Sequence, residues 1–181
     1  MANILQPLAD PMPAEISTIM ARYPRQDGYL LNLFRTFANS ARFARKAVPN
    51  LLDKESPLPL RIREIVILRV TANRNCAYEW GVHVAIFARA AKFTDDQVRA
   101  TRLGPATDPI WPDKEQRLLQ VVDELCLNAV VPDDLLDGFQ RDWTLDQQLE
   151  ILALCGTYTT ISLVANTARL EREPFAVPFP T

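Results

Sequence analysis

Histidine, cysteine and glycine are all scarce in this chain of 181 residues, which has one, three and five of them respectively. A single histidine, with no HExxH pair, is few for a metalloenzyme, so we predict no bound metal and no other cofactor. The cysteines Cys76, Cys126 and Cys155 are odd in number and form no CxxC motif. They therefore exclude a disulfide framework and favour reduced thiols in the cytoplasm. No glycine-rich phosphate loop occurs.

Excess charge of one sign is also missing, because 20 basic and 22 acidic residues leave a net charge of −2. Without a broad basic field, we predict no nucleic-acid partner. The N-terminal segment has no apolar core and is not a secretory signal. Residues 151–168 form an uncharged run of 18, but it contains four threonines, a serine, an asparagine and a glycine. Such a run favours a helix buried in a bundle or subunit contact over a membrane span.

Apolar residues recur at helical spacing along most of the chain, and no strand alternation interrupts them. We therefore predict one all-α domain over residues 1–181, with an irregular arm at 1–12. A second arm at 173–181 has three prolines, which exclude a helix, and we expect it to clasp a neighbouring subunit. Helices are predicted over 14–22, 28–48, 60–73, 76–92, 95–102, 114–131, 133–142 and 145–172. Capping boxes at Thr94 and Thr144 mark two of their starts.

The only histidine lies in the stretch that carries most of the chemistry. A helix advances ~100° per residue, so Cys76, Glu79 and His83 fall on one face of the helix predicted to begin at Cys76. A thiol, a carboxylate and an imidazole can exchange protons near neutral pH. The first turn of a helix also stabilises a thiolate. Glu64 on the preceding helix completes a candidate catalytic group.

Each member of this group has a plain structural alternative. His83 can be a buried histidine satisfied by a carbonyl group, and Cys76 can be a small core residue. Glu64 can pair with Arg61 or Arg63. The four side chains together indicate an active site because perturbed acid–base groups cluster at functional sites.

The spacing resembles that of the carboxymuconolactone decarboxylase and AhpD-like superfamily. That pattern has a glutamate in one helix and Cys-x-x-Cys-x-x-x-His opening the next. Here Glu64 is followed by eleven residues and then by Cys76-Ala-Tyr-Glu79-Trp-Gly-Val-His83. The resemblance is strongest over residues 57–102, which we take as the motif-bearing core. It implies an AhpD-like helical bundle that assembles as a homo-oligomer: a dimer, trimer or hexamer.

Two departures from that pattern affect the expected chemistry. Glu79 stands where the family has its second cysteine, and a carboxylate cannot form the redox disulfide. Cys76 could still be oxidised to a sulfenic acid, but no second thiol on the helix would resolve it. Lys92 stands where the family usually has a glycine, which implies a left-handed helix end without glycine or a different end to the helix.

Proton chemistry on a small carboxylated, lactone-type substrate is the function that the residues favour. His83 would act as general acid or base, with Glu79 and Glu64 tuning its pKa and relaying protons. Paired hydrogen bonds from arginines would hold the substrate carboxylate, and aromatic rings would wall the pocket. The predicted substrate-binding residues are Arg61, Arg74, Tyr78 and Trp80.

Two other functions stay open. One is an alkylhydroperoxidase-like or peroxiredoxin-like activity through Cys76 as the single reactive thiol. The carboxylates nearby argue against it, because a negative charge raises a thiol pKa. The other is a helical oligomer without activity that serves as a binding scaffold.

Overall fold

Helices make up the regular structure of the chain, as its computed structural model shows for residues 5–181. Over these residues there are nine helices and no strand apart from an isolated bridge between Gln26 and Tyr29. The prediction of an all-α protein is confirmed, while the first four residues of the predicted N-terminal arm lie outside the described residues. The helices are α1 (Ala14–Met20), α2 (Asn32–Phe37), α3 (Ala41–Lys46), α4 (Leu60–Asn73), α5 (Ala77–Phe87), α6 (Asp95–Leu103), α7 (Asp113–Asn128), α8 (Asp133–Asp142) and α9 (Leu145–Thr167).

Helix α4 lies at the centre and packs against α5, α6, α7 and α9. Pro59 precedes its first turn, where the missing N–H of a proline costs nothing. The unbroken apolar run from Ile65 to Leu68 is fully buried, as expected for a helix surrounded on all sides. Glu64 is carried into the same interior and is also fully buried. A carboxylate at this depth needs a partner, and the helices packed on α4 supply it.

The two predicted capping boxes are confirmed. The hydroxyl of Thr94 accepts a hydrogen bond from the backbone N–H of Gln97, and the side-chain oxygen of Gln97 accepts one from the backbone N–H of Thr94. Helix α6 begins there. Thr144 and Gln147 form the same reciprocal pair at the start of α9. Both boxes satisfy N–H groups that the first turn of a helix leaves without partners.

The prediction of one helix over residues 28–48 is wrong, because the chain breaks it into α2 and α3. Ser40 is the reason for the second start: its hydroxyl accepts from the N–H of Phe43 and caps α3. Asn39 holds the break by donating to the backbone oxygens of Gln6 and Thr36. Residues 28–31 precede α2 and are not helical. The apolar periodicity survives the break, so it did not reveal the turn.

The motif helix α5 is shorter than predicted. Cys76 is its N-cap residue, whereas Asn75, the expected cap, adopts a left-handed conformation with φ of 52° in the turn after α4. The helix ends at Phe87, and a turn leads to Lys92, whose φ is 59°. The chain therefore makes a left-handed turn at Lys92 without the glycine that would adopt it freely.

Helix α9 is long and apolar enough to cross a membrane by length and composition, and it is the one such helix among the described residues. One of its faces is buried in the bundle, and it includes Ile151, Leu154, Tyr158, Ile161 and Ala165. The helix ends five residues before the predicted Arg172, at Thr167, and Arg169 follows with φ of 51°. A core helix of a soluble bundle passes the same composition test as a membrane span.

The C-terminal arm packs on its own chain, and its expected role as a clasp on a neighbouring subunit stays a prediction. The N–H of Val177 donates to the carbonyl of Gly81 over 3.1 Å. The ring of Phe179 packs on Trp80 with centroids 5.3 Å apart. A Cβ on residue 81 would lie 2.1 Å from the carbonyl oxygen of Val177, so only glycine allows the arm to approach α5 this closely.

Candidate active site

Helices α4 and α5 bring Glu64 and His83 together in the interior. A turn at Asn75 joins the two helices. In this turn, the N–H of Cys76 donates to the carbonyl of Thr71 over 2.8 Å. Nδ1 of His83 lies 2.8 Å from Oε2 of Glu64, and both side chains are buried. A hydrogen bond at this distance fixes the ring and assigns a proton to Nδ1.

The other ring nitrogen of His83 faces two further groups. Nε2 lies 3.1 Å from the hydroxyl of Tyr158 and 3.4 Å from Oε1 of Glu79. The rings of His83 and Tyr158 are nearly perpendicular, with centroids 5.1 Å apart. The predicted i,i+4 pairing of Glu79 with His83 is present. A protonated imidazole can therefore donate from both nitrogens without leaving its place.

These surroundings favour the protonated form of His83. Burial by itself lowers its pKa, but the charge and hydrogen bond of Glu64, followed by those of Glu79, raise the pKa from 6.5 to about 10. The ring is thus an imidazolium at neutral pH. An imidazolium next to a cavity is a proton donor.

Unused hydrogen-bonding capacity remains at the same place. Oε1 of Glu64 and Oε2 of Glu79 are buried and have no hydrogen-bond partner. The pKa of Tyr158 is raised well above 10, first by burial and then by the charges of Glu79 and Glu64. Its phenol therefore keeps its proton. Buried polar atoms without partners are rare and are typical of sites that hold a ligand or carry out chemistry.

Cys76 lies at the start of α5 but not as a reactive thiolate. Its side chain is fully buried. Burial, together with the charge of Glu79, raises its pKa from 9.0 to about 11, although hydrogen bonds from the N–H groups of Glu79 and Tyr78 and from Ser162 act in the opposite direction. The predicted stabilisation by the helix start is present and is outweighed by desolvation.

A cavity of about 980 Å³ opens beside the acid–base group. Glu79, His83 and Tyr158 line one part of it, whereas Glu64 and Cys76 are not among its lining residues. The opposite wall comes from α1 to α3 and the segment that follows them. The structure thus gives a ligand access to the imidazole, with Glu64 behind the ring.

The arginines predicted to bind substrate lie away from this cavity. Arg61 makes a two-point ion pair with Glu115, at 2.7 and 2.9 Å, and donates to backbone oxygens at the end of the α5 region. Arg74 donates to the hydroxyl of Thr159 and the carbonyl of Cys126. Both guanidinium groups therefore form contacts between helices of the bundle.

The predicted aromatic walls also have structural roles. The hydroxyl of Tyr78 donates to Glu173 over 2.5 Å and accepts from the N–H of Leu33. The indole N–H of Trp80 donates to Thr101 over 3.0 Å. Both rings are buried outside the lining of the cavity beside His83. Neighbours of the motif in sequence thus point away from its catalytic face.

Tyr158 is the residue of the site that sequence reasoning missed. It lies in the uncharged run of α9, for which the sequence predicted only a buried helix. A phenol within such a run is a usable signal, because a buried tyrosine hydroxyl needs a hydrogen-bond partner. The partner, His83, is distant in the chain, so spacing alone did not connect the two.

No group of three or more His, Cys, Asp or Glu side chains within residues 5–181 is arranged to hold a metal ion. The carboxylates on either side of His83 act as its hydrogen-bond partners.

Comparison with known proteins identifies relatives of the fold. Residues 40–124 match the carboxymuconolactone decarboxylase family. The fold is similar to that of an Agrobacterium tumefaciens protein of unknown function, described as a candidate AhpD antioxidant defence protein, with a TM-score of 0.65, 20% identity, and coverage of 75% of this chain and 92% of the other. It is also similar to the debrominase Bmp8, with a TM-score of 0.71, 14% identity, and coverage of 96% and 94%.

A cysteine-to-alanine variant of Bmp8 with 2,3,4-tribromopyrrole bound shows the same similarity, with a TM-score of 0.71. A search of curated proteins finds no match. The identities to the solved structures are low, so these similarities describe the fold and leave the reaction to be argued from the site.

Proposed function

Because the chain belongs to the carboxymuconolactone decarboxylase and AhpD-like superfamily, we propose that it is a cofactor-free enzyme that transfers protons on a carboxylated, lactone-type substrate. The reaction class is decarboxylation, that is, a lyase. The observation that carries the proposal is the position of His83 between two carboxylates and a phenol at the edge of a cavity.

In the proposed reaction, His83 is the general acid. The bond between carbon and the leaving carboxylate breaks, CO2 departs, and the electron pair stays on the carbon. That carbon takes a proton from Nε2 of His83, while Glu64 stabilises the ring through Nδ1. Water then returns a proton to the imidazole. A positioned acid of this kind contributes about 10²- to 10⁴-fold to a rate.

Glu79 and Tyr158 shape the same step. Both lie within reach of Nε2, so they orient the N–H toward the cavity before the substrate arrives. When the substrate displaces Glu79 and Tyr158 from Nε2, the proton on Nε2 becomes available to the substrate carbon.

Thiol chemistry through Cys76, as in a peroxidase, is the alternative function. A peroxidase needs a thiolate that peroxide can reach, whereas Cys76 is fully buried and its pKa is raised to about 11. A buried, protonated thiol favours proton transfer by His83 over oxidation of Cys76.

The test compares four variants with the native protein on two substrates, carboxymuconolactone and hydrogen peroxide. We expect His83→Ala and Glu64→Gln to lower the decarboxylation rate by about 10²- to 10⁴-fold. Cys76→Ser should retain it, as should Cys126→Ser, the matched control on α7. Circular dichroism checks that each variant folds.

Other outcomes would contradict the proposal in distinct ways. Peroxide consumption that disappears in Cys76→Ser but not in Cys126→Ser would assign the thiol chemistry instead. Full biological function in a Glu64→Gln, His83→Ala double variant would leave only a binding scaffold.

A further inference from the structure

We propose that the cavity beside His83 binds an amphipathic organic acid, with its apolar body inside and an anionic head group, distinct from the reacting group, at the open end. This inference rests on the proposed function and names the substrate class of the same site. It extends the carboxylated, lactone-type group of the proposed substrate by an apolar body, which a large apolar cavity would hold, and by a second charge, which a charged mouth would hold.

The inner part of the cavity is apolar. Its buried lining comes from four different parts of the chain, and it includes Ile19, Leu31, Phe37, Val82 and Ile161. Phe34 and Phe87 add aromatic rings to the wall. Apolar surface of this kind gains free energy by taking an alkyl or ring body out of water, at roughly 25 cal/mol per Å².

The size of the cavity supports a large ligand. Ligand pockets usually enclose about 300–1,000 Å³, and this one, at about 980 Å³, is near the upper end. A lactone acid without an apolar body would leave most of the apolar wall in contact with water. The wall from residues 15–37 also precedes the matched family region at 40–124, so this chain builds part of the cavity from its own N-terminal segment.

Basic side chains surround the open end. Four exposed cations line the cavity there: Arg22, Arg25, Arg45 and Lys46. Arg45 pairs with Glu15 over 3.0 Å, and Arg25 donates to a backbone carbonyl. In the described part of the chain, Arg22 and Lys46 form no ion pair.

Glu79 determines the direction in which an acid would bind. Its carboxylate lies at the buried end, next to His83, and would repel the anionic head of a ligand. The cations at the opposite end attract the same head group. Charge therefore places the head group at the mouth, and the apolar body extends from there to the reacting group beside the imidazole.

The experiment measures binding by isothermal calorimetry to the intact protein with three probes. 2-Naphthoate has an apolar body and a charge, 2-naphthamide has the same body without the charge, and glutarate has charge without the body. We expect 2-naphthoate to bind most tightly. Equal binding of the naphthoate and the amide, or tighter binding of glutarate, would overturn the inference.

Two variants locate the head group. An Arg22→Ala, Lys46→Ala double variant should weaken 2-naphthoate by about threefold to tenfold and leave 2-naphthamide unchanged. Arg42→Ala is the matched control, because Arg42 is exposed on α3 but does not line the cavity. An equal loss in the control would show a general effect of charge.

Binding also separates this inference from the proposed function. His83→Ala should retain 2-naphthoate binding while it loses turnover of carboxymuconolactone. If the native protein prefers 2-naphthoate but does not turn over carboxymuconolactone, the proposed reaction is contradicted and the substrate class is supported. If it turns over carboxymuconolactone but prefers glutarate, the substrate class is contradicted and the proposed reaction is supported.

We infer separately that the exposed face of α9 binds a second copy of this chain. The face is a narrow stripe of uncharged residues on one side of the helix, remote from the buried side that contains Tyr158. Leu145, Leu149 and Leu163 are 79%, 68% and 63% exposed. A contiguous apolar stripe of this kind on a soluble helix marks an interaction surface.

The stripe is symmetric about Gly156, the central residue of α9. Its positions fall at equal distances on either side of that glycine: Leu145 and Thr167, Leu149 and Leu163, Leu152 and Thr160. Two such helices crossing antiparallel at Gly156 would place Leu149 of one copy against Leu163 of the other, and Leu145 and Leu152 against threonines. A two-fold interface requires this self-complementarity.

Backbone approach and charge agree with a second copy as the occupant. A Cβ built on Gly156 meets nothing within 4 Å, so its exposed face is open to a neighbouring helix. Asp146 lies near one end of α9 and Arg169 just beyond the other. An antiparallel pair brings these opposite charges toward each other at both ends, whereas a lipid surface would gain nothing from them.

Light scattering after gel filtration tests this interface at micromolar concentration. We expect a dimer, or a larger assembly built from dimers, and monomers or halved assemblies for Leu149→Asp and for Leu163→Lys. The Leu149→Asp, Leu163→Lys double variant should reassociate, since the antiparallel pairing sets the new charges opposite each other. Leu127→Asp, on α7, is the exposed control. A monomeric native protein, or one that sediments with phosphatidylcholine vesicles, would overturn the inference.

Discussion

The hydroxyl of Tyr158 lies 3.1 Å from Nε2 of His83, although 75 residues separate the two in the chain. Helix α9 carries the phenol across the bundle to the face of α5 that holds the imidazole. The contact puts a neutral hydrogen-bonding group beside a ring that already has carboxylates on both of its nitrogens. It is the contact through which α9 joins the acid–base group.

Replacing this phenol should affect turnover more than stability. We expect Tyr158→Phe to lower the decarboxylation rate by about tenfold to a hundredfold, because the N–H of His83 loses its orienting partner. The free energy of unfolding should fall by only about 1 kcal/mol, the usual contribution of one hydrogen bond. Steady-state kinetics and urea unfolding measure the two effects. Tyr23→Phe is the control, since Tyr23 also lines the cavity but donates to the carbonyl of Ala44. Equal losses of rate in Tyr158→Phe and Tyr23→Phe would contradict the role of Tyr158.

Stability should decrease as the pH rises above neutrality. The pKa of His83 is raised from 6.5 to about 10 in the folded protein, so the fold retains a proton that the unfolded chain releases. This stabilisation is complete below the unfolded pKa and is lost as the pH approaches the folded pKa. The free energy of unfolding should therefore fall by up to ~1.4 kcal/mol per pH unit between about pH 7 and 9.

Urea unfolding across that range measures the slope, and two variants identify its source. Glu64→Gln removes the main charge that raises the pKa of His83, so its slope should be flatter. Glu15→Gln changes an exposed carboxylate paired with Arg45 and should keep the native slope. A native slope in Glu64→Gln would show that His83 is not the group responsible.

The three thiols should differ in reactivity. Burial raises the pKa of all three thiols, to about 11 for Cys76, but Cys126 is only half-buried whereas Cys76 and Cys155 are buried. We expect iodoacetamide at neutral pH to label Cys126 first, since the thiolate is the reactive form. Mass spectrometry of the labelled peptides gives the order. Rapid labelling of Cys76, or its oxidation by dilute peroxide ahead of Cys126, would contradict the burial seen here.

The contact between Gly81 and the C-terminal arm predicts a localised effect. In Gly81→Ala, the new methyl would meet the carbonyl oxygen of Val177 at 2.1 Å, so the arm must shift. We expect a loss of about 1–3 kcal/mol in the free energy of unfolding and faster protease cleavage of the arm. Gly138→Ala is the control, because its methyl meets the flexible side chain of Arg117 at 3.1 Å. An arm that stays protected in Gly81→Ala would contradict this account.

Local sequence signals located most helices but misplaced several ends. The capping boxes at Thr94 and Thr144 are reciprocal side-chain and backbone contacts within four residues, so the sequence contains all of the partners. The break after α2 depends on Asn39 reaching Gln6, a contact between distant residues. Apolar periodicity continues through that break and therefore predicted one helix.

The candidate site was also predicted only in part, because the sequence reveals local spacing but not contacts between distant residues. Helical spacing put Glu79 four residues before His83, and the structure has them 3.4 Å apart. The roles of Arg61 and Arg74 were not accessible, because the partners that occupy them, Glu115 and Thr159, come from α7 and α9. Side chains next to a motif in sequence turn to whichever helix packs against them.

The sequence alone determined the helical class, the caps and the set of acid–base groups on one face of α5, because these depend on residues within a few turns of each other. The tertiary structure decided which groups meet His83 and which side chains line the cavity. It placed Glu64 behind the ring and Tyr158 in front of it, and it enclosed Cys76 so fully that its thiol stays protonated. Desolvation and long-range charge depend on the packing of α4, α5 and α9 together, and no stretch of the chain contains that information by itself.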